Sequence, residues 1–401
     1  MSAQLEPAVH RNVSVLVGAQ ALGGASAPII ISLGGLVGQM LSSQPALATL
    51  PVSLYNTGLA LSTLPAAALM RRLGRRHAYL LGAVMGLLSG LLATWAIVRG
   101  DFVLFCVATA MAGFYGANVQ SYRFAATDST PPEWRPVAIS RVLVGGLLAA
   151  VIGPQVVIWT RDLWVAAPFA GSFLGQAALA LLALPILALL KAPPPAPETG
   201  AAVGQGRPLR QIMAQPRFVV AVSAGVVSYG LMAFVMTAAP MAMVGCGFTV
   251  GEAALGIQWH VLAMFAPSLI TGHLIKRFGK LGMTALGLVL MAASGALALA
   301  GLELLHFWGS LILLGVGWNF GFIGATAMIT DCYRPEERTR VQSVNDFLVF
   351  GTVAVASFSS GHLLNTAGWE QINLLMFPLV AVVLLMMLWL RGTPVTPAAG
   401  A

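Results

Sequence analysis

Apolar runs of about 20 residues, without alternation of polar and apolar positions, recur twelve times along the chain. Nothing else in it restricts the fold so severely. Such a run is the length a helix needs to cross the roughly 30 Å hydrocarbon core of a bilayer. Lipid cannot satisfy bare backbone groups, so a spanning segment is a helix or part of a closed barrel, and the missing alternation excludes the barrel. Only 8% of the 401 residues are charged, against 58% hydrophobic, whereas a soluble domain carries roughly a quarter charged residues. The expected fold class is therefore an all-α polytopic membrane protein in a lipid bilayer.

The spans read as 13–40, 47–70, 78–98, 102–122, 137–160 and 164–190, then 218–244, 253–275, 283–302, 307–329, 341–362 and 372–390. Between the two sets, Lys191–Pro216 is rich in Pro, Gly and Ala and has no apolar period, which reads as a flexible tether. The expected organisation is a six-helix half over 1–190, a cytoplasmic tether over 191–216 and a second six-helix half over 217–401. The first apolar run is long enough to span, so no cleavable leader is expected.

A net charge of +8 raises the question of nucleic acid, but the bases sit in short loops between spans. With the N-terminus inside, 19 of the 21 Lys and Arg fall on the cytoplasmic side, leaving Arg99 and Arg161 outside. That asymmetry is the positive-inside pattern, so a nucleic-acid partner is excluded and both termini are placed in the cytoplasm. The expected location is the bacterial cytoplasmic (inner) membrane. The cysteines, Cys106, Cys246 and Cys332, are too far apart in sequence to form a CxxC pair.

The halves repeat. Thr127-Asp128-x-x-x-Pro132-Glu133-x-Arg135-x-x-x-x-Ser140 returns as Thr330-Asp331-x-x-x-Pro335-Glu336-x-Arg338-x-x-x-x-Ser343, six identities at a constant offset of 203. Each copy follows the fourth span of its half. Arg71-Arg72-Leu73-Gly74-Arg75 is echoed by Lys276-Arg277-Phe278-Gly279-Lys280 after each second span. Two like halves describe a transporter that holds its substrate between them, near the midplane.

On these repeats the chain resembles the major facilitator superfamily, and Ala67–Arg76 resembles that family's loop between its second and third helices. Arg71 and Lys276 occupy the loop's usual acidic position, a departure from the pattern. The resemblance implies twelve transmembrane helices in two halves and, by itself, no particular substrate. No HExxH, Walker loop, GxSxG or paired carboxylates are present, so the chain is not expected to be an enzyme. Gly82-x-x-x-Gly86-x-x-x-Gly90 on the third span reads as close helix packing.

Polar residues within spans are costly and so informative. Met232-x-x-x-Met236 on the seventh span and His260-x-x-x-Met264 on the eighth each place two side chains on one helix face. Both pairs lie 10 or 11 residues from the outer end of their span, about 15 Å deep and near the midplane. Among 17 methionines one MxxxM arises by chance, and spacing alone leaves a metal site and simple packing equally open. Three thioethers and an imidazole are soft, neutral ligands of the kind that suit Cu(I). The two motifs also resemble those of the CcoA-type bacterial copper importers. That resemblance implies Met232, Met236, His260 and Met264 as copper ligands, with copper as substrate. It also implies uptake that supplies cbb3-type cytochrome oxidase assembly factors.

Cys246, at the outer end of span seven, is a candidate for handing metal inward. Asp346 on span eleven is a candidate for carrying a coupling proton, with a local ion pair to Arg338 or Arg340 as the alternative. The chain is expected to act as a monomer. The rival function is organic-solute import of the riboflavin type, using Trp259, Asn56, Tyr55, Asn118, Gln120 and Tyr229. A drug/proton exporter ranks below it, because spans one and four carry no acid.

Overall fold

The structure, a computed structural model, describes residues 7–128, 130–131, 134–191, 206–334 and 337–391. Within these residues the chain is helical, with short turns. The first span comprises Pro7–Gly24 and Ser26–Leu41, broken just before Pro28, which has no N–H to continue the ladder. Leu50–Arg99 contains the second and third spans. A straight helix of its 50 residues would run about 75 Å, far beyond a bilayer, and it folds back at Gly74 (φ 77°, ψ 159°). Phe102–Asp128, Arg135–Thr160 and Ala170–Ala188 complete the first half.

The second half begins with Pro216–Gly245. Its eighth span, expected as a single helix, is Val250–Phe265 followed by Ser268–Phe278, bent by 45° where Pro267 interrupts the ladder. Lys280–Ala300 and Leu304–Ile329 follow. Arg338–Leu374 and Met376–Arg391 hold the eleventh and twelfth spans, which fold back at Gly368 (φ 82°). Twelve passes place both described ends on one side of the bundle, here called the terminal side.

The duplicated loops are also duplicated in geometry. Gly279 has φ 77° and ψ 157°, matching Gly74 to within 2°, in a region open to glycine and strained for other residues. In each half the base after this glycine pairs with the acid that ends the fourth span: Arg75 with Asp128 and Lys280 with Asp331. Arg217 also reaches Asp331, at 2.6 Å. The acids at the motif's usual position are replaced by Arg71 and Lys276, yet the contact to the fourth span is kept.

The described end of the segment between the halves is docked. Leu209–Met213 is a short helix with Ile212 buried, and Arg207 grips Glu337 with two parallel bonds of 2.9 and 2.7 Å. Residues 192–205 lie outside the described residues. Glu337 also accepts the backbone N–H groups of Arg207 and Arg334. Charge-assisted donation from Arg207 pulls its carboxyl down to about 2.

The glycine stripe on span three serves close packing, as expected. A Cβ at Gly90 would lie 2.7–2.8 Å from the backbone of Ala177 and Phe173, and one at Gly86 would enter the Tyr115 ring. Trp95, Trp159 and Trp164 are exposed near the far ends of the helices and Trp389 near the terminal ends, where aromatic belts meet headgroups. The halves interlock through Ile31, Val52 and Ala150, which enter the core of the second half, while Met241 and Ala254 enter that of the first.

Candidate substrate-binding site

Tyr229 stands 13 residues into the seventh span, about 20 Å along a helix that crosses the bundle. Trp318 and Phe322 sit at i and i+4 on the tenth span, so their rings share one face. Phe265 ends the first segment of the broken eighth span, and Phe350 comes from the eleventh. The structure gathers these five rings at mid-depth. Tyr229 meets Trp318, Phe322 and Phe350 edge-on at centroid distances of 5.2, 5.0 and 5.7 Å. Trp318 stacks on Phe322 at 5.4 Å and 15°, and Phe265 approaches Trp318 at 6.2 Å. Tyr55 of the second span lies within electrostatic reach of Tyr229 from across the interface.

Apart from Trp318, 7% exposed, the five are only half-buried. The Trp318 indole N–H is buried with no acceptor among the described residues. A buried donor left unpaired costs about 1–3 kcal/mol. Arg123 and Asp346, from opposite halves, are both exposed and lie within electrostatic reach of each other.

Polar contacts between the halves lie on the far side. Asn56 donates to the Ser357 hydroxyl at 2.8 Å, Gln155 to Gln258 at 3.0 Å, and Asn365 to the Pro45 carbonyl at 3.0 Å. On the terminal side, Leu61, Leu64 and Phe347 are each more than 70% exposed. The halves are closed at one end and apart at the other, as in one state of an alternating-access cycle.

The four residues expected to bind copper, Met232, Met236, His260 and Met264, all lie buried in the second half. Met232, Met236 and Met264 are buried in the apolar core of the second half with Leu288, Met291 and Leu314. His260 is fully buried and turns to the tenth span, where its Nδ1 lies 2.7 Å from the Leu311 carbonyl. This backbone contact fixes the tautomer with the proton on Nδ1, and Nε2 has no partner among the described residues. Among the described residues no three His, Cys, Asp or Glu side chains gather. Cys246 is exposed at the cap of the seventh span. Asp346 is bonded by Asn345 at 3.1 Å and forms no ion pair with Arg338 or Arg340 among the described residues.

Of the residues named for an organic solute, Tyr55 and Tyr229 face the interface. Asn56 serves the far-side contact, Asn118 is buried against Gly82, Gln120 is half-buried and Trp259 is exposed. Phe265, Trp318, Phe322 and Phe350 were not singled out from sequence. A W-x-x-x-F pair in an apolar span is indistinguishable there from a packing stripe.

Two like six-helix halves around a mid-depth cluster of rings, closed at one end, define a membrane transporter and not an enzyme. The chain belongs to the Major Facilitator Superfamily, whose sequence pattern matches residues 14–266 and 221–401. It is 60% identical to the riboflavin transporter RfnT of Brucella anthropi, over 98% of this chain and 99% of that one. It is also 30% identical to the MFS-type transporter YdeG of Bacillus subtilis, over 95% and 92%. Two solved transporters share the fold at 13% identity. One is an inward-facing, unoccupied bacterial homologue of human lysosomal Spinster (TM-score 0.72, 96% of this chain and 97% of that one). The other is the xylose transporter XylE from E. coli, partially occluded and inward-open (0.71, 98% and 99%).

The similarity to RfnT overturns the copper reading. Copper as substrate, its supply to cbb3-type oxidase assembly, and a partnership with that pathway are all withdrawn. The physical reason lies in the motifs: soft side chains at helical spacing are also good packing residues. Here the thioethers fill core space and the imidazole caps a carbonyl on another span.

Proposed function

We propose that the chain imports a flat aromatic organic solute of the riboflavin type across the bacterial cytoplasmic membrane by alternating access. The observation that carries this is 60% identity to a riboflavin transporter along essentially the whole chain, since that extent covers every span lining the interface. The ring cluster supports it, because Tyr229, Phe265, Phe322 and Phe350 are only half-buried and an uncovered aromatic face packs well against a planar ring system. The test is uptake of labelled riboflavin by a riboflavin-requiring strain without its own importer. Expression of this chain should restore both uptake and growth on micromolar riboflavin; normal membrane levels without uptake would sink the proposal.

Both termini are cytoplasmic in this reading, and the segment over 191–216 joins the halves without touching solute. Reporters fused after Arg391 and within 192–205 should both score as cytoplasmic. A periplasmic score from either would contradict the orientation.

A further inference from the structure

The five rings can hold the faces of a flat heterocycle but cannot read its polar edge. Three polar groups lie around the ring cluster. Arg123, five residues before the end of the fourth span, is exposed. It lies within electrostatic reach of both Tyr229 and Asp346. Its guanidinium is 4.8 Å from the centre of the Phe124 ring, and it has no ion pair or hydrogen bond among the described residues. Asp346 lies one helical turn before Phe350 on the same face, which sets it on the terminal side of the cluster. Its only hydrogen bond among the described residues comes from the neighbouring Asn345 amide. The third group is the unpartnered indole N–H of Trp318.

Opposite charges that served only to hold the halves together would close into a bidentate pair, as Arg207 and Glu337 do. Arg123 and Asp346 come from different halves and remain apart, so a donor and an acceptor face a common gap. We infer that Arg123, Asp346 and Trp318 form the polar end of the substrate site and recognise an imide edge, the sequence carbonyl, N–H, carbonyl, on a fused ring. The carboxylate accepts the imide N–H, while the guanidinium and the indole N–H donate to its flanking carbonyls. The inference rests on the riboflavin-type reading, since the flavin ring carries such an edge. Discrimination follows because a site built to bond an N–H leaves a buried acceptor unpaired when the N–H is missing.

The test is equilibrium binding to the purified full chain in lipid nanodiscs, followed by flavin fluorescence. The ligands are riboflavin and its 3-methyl derivative, in which a methyl replaces the imide hydrogen. Wild-type protein should bind the methyl derivative about tenfold more weakly or worse. Asp346→Ala should weaken riboflavin binding by a similar factor and bind the two flavins equally. Asp346→Asn, which keeps an acceptor oxygen, should retain part of the preference, and Arg123→Gln should weaken both flavins together.

Equal binding of both flavins by wild-type protein overturns the inference and leaves the transport function standing. So does an Asp346→Ala protein that keeps the wild-type preference. Normal binding with abolished uptake in Asp346→Ala would assign the carboxylate to energy coupling, and also overturns it. Absence of riboflavin binding by wild-type protein removes the functional reading itself.

Discussion

Trp318→Ala is expected to reduce riboflavin uptake by at least about tenfold, the largest effect of any single ring removal in the bundle. Trp318 stacks on Phe322 and borders Tyr229 and Phe265, so its loss dismantles the cluster as well as one wall of it. It also removes the unpartnered indole donor. Trp318→Phe keeps a ring and loses that donor, and should fall between wild type and alanine. Because truncating a buried tryptophan can cost about 3–5 kcal/mol of stability, uptake is compared at equal amounts of protein recovered from the membrane. The contrasting variant is Met232→Leu/Met236→Leu. That double change conserves volume in the apolar core and should alter uptake less than twofold, at a stability cost below about 1.5 kcal/mol per site. A methionine pair as damaging as Trp318 would put the solute path on the wrong face of span seven.

Glu337→Ala should be the most destabilising substitution outside the spans. The carboxylate is 1% exposed, against 22% for Arg207, and it accepts two backbone N–H groups as well as the guanidinium. Removing it strands those donors, at a cost of about 2–4 kcal/mol once the partial hydration of Arg207 is allowed for. The sign of the pH dependence follows from its depressed pKa. Folding holds the carboxyl at about 2 instead of 4.5, so its contribution is complete above 4.5 and disappears as pH falls towards 2. Thermal unfolding in detergent should show wild type more stable than Glu337→Gln at pH 7, with the gap narrowing between pH 4.5 and 2. A gap that stays constant across that window would show that Glu337 is not held ionised by Arg207.

The ion pair also shows where a repeat in sequence stops being a repeat in structure. The positions of Asp128 and Asp331 are equivalent, and each receives the base after its loop glycine. The partner of Glu337 at the same offset is Trp134, so the carboxylate anchor belongs to the second half alone. The composition of the segment 191–216 does not encode it, because the interaction depends on one arginine meeting one acid 130 residues away.

What the sequence determined by itself was set by solvent and by local chemistry. Length and apolarity dictate spans, since lipid permits nothing else. The duplicated loops dictate two like halves, because Gly74 and Gly279 need the same positive φ to turn the chain. Tertiary structure alone decided which residues meet at the midplane. His260 and the methionines share a helix spacing with a metal motif, but the direction of a side chain depends on how each helix is rotated against its neighbours. Packing turned His260 to the Leu311 carbonyl of span ten and turned Tyr229, Trp318, Phe322 and Phe350 toward one another. In an all-apolar span, helix rotation leaves little periodic trace in the sequence, because both the lipid-facing and the protein-facing sides are hydrophobic.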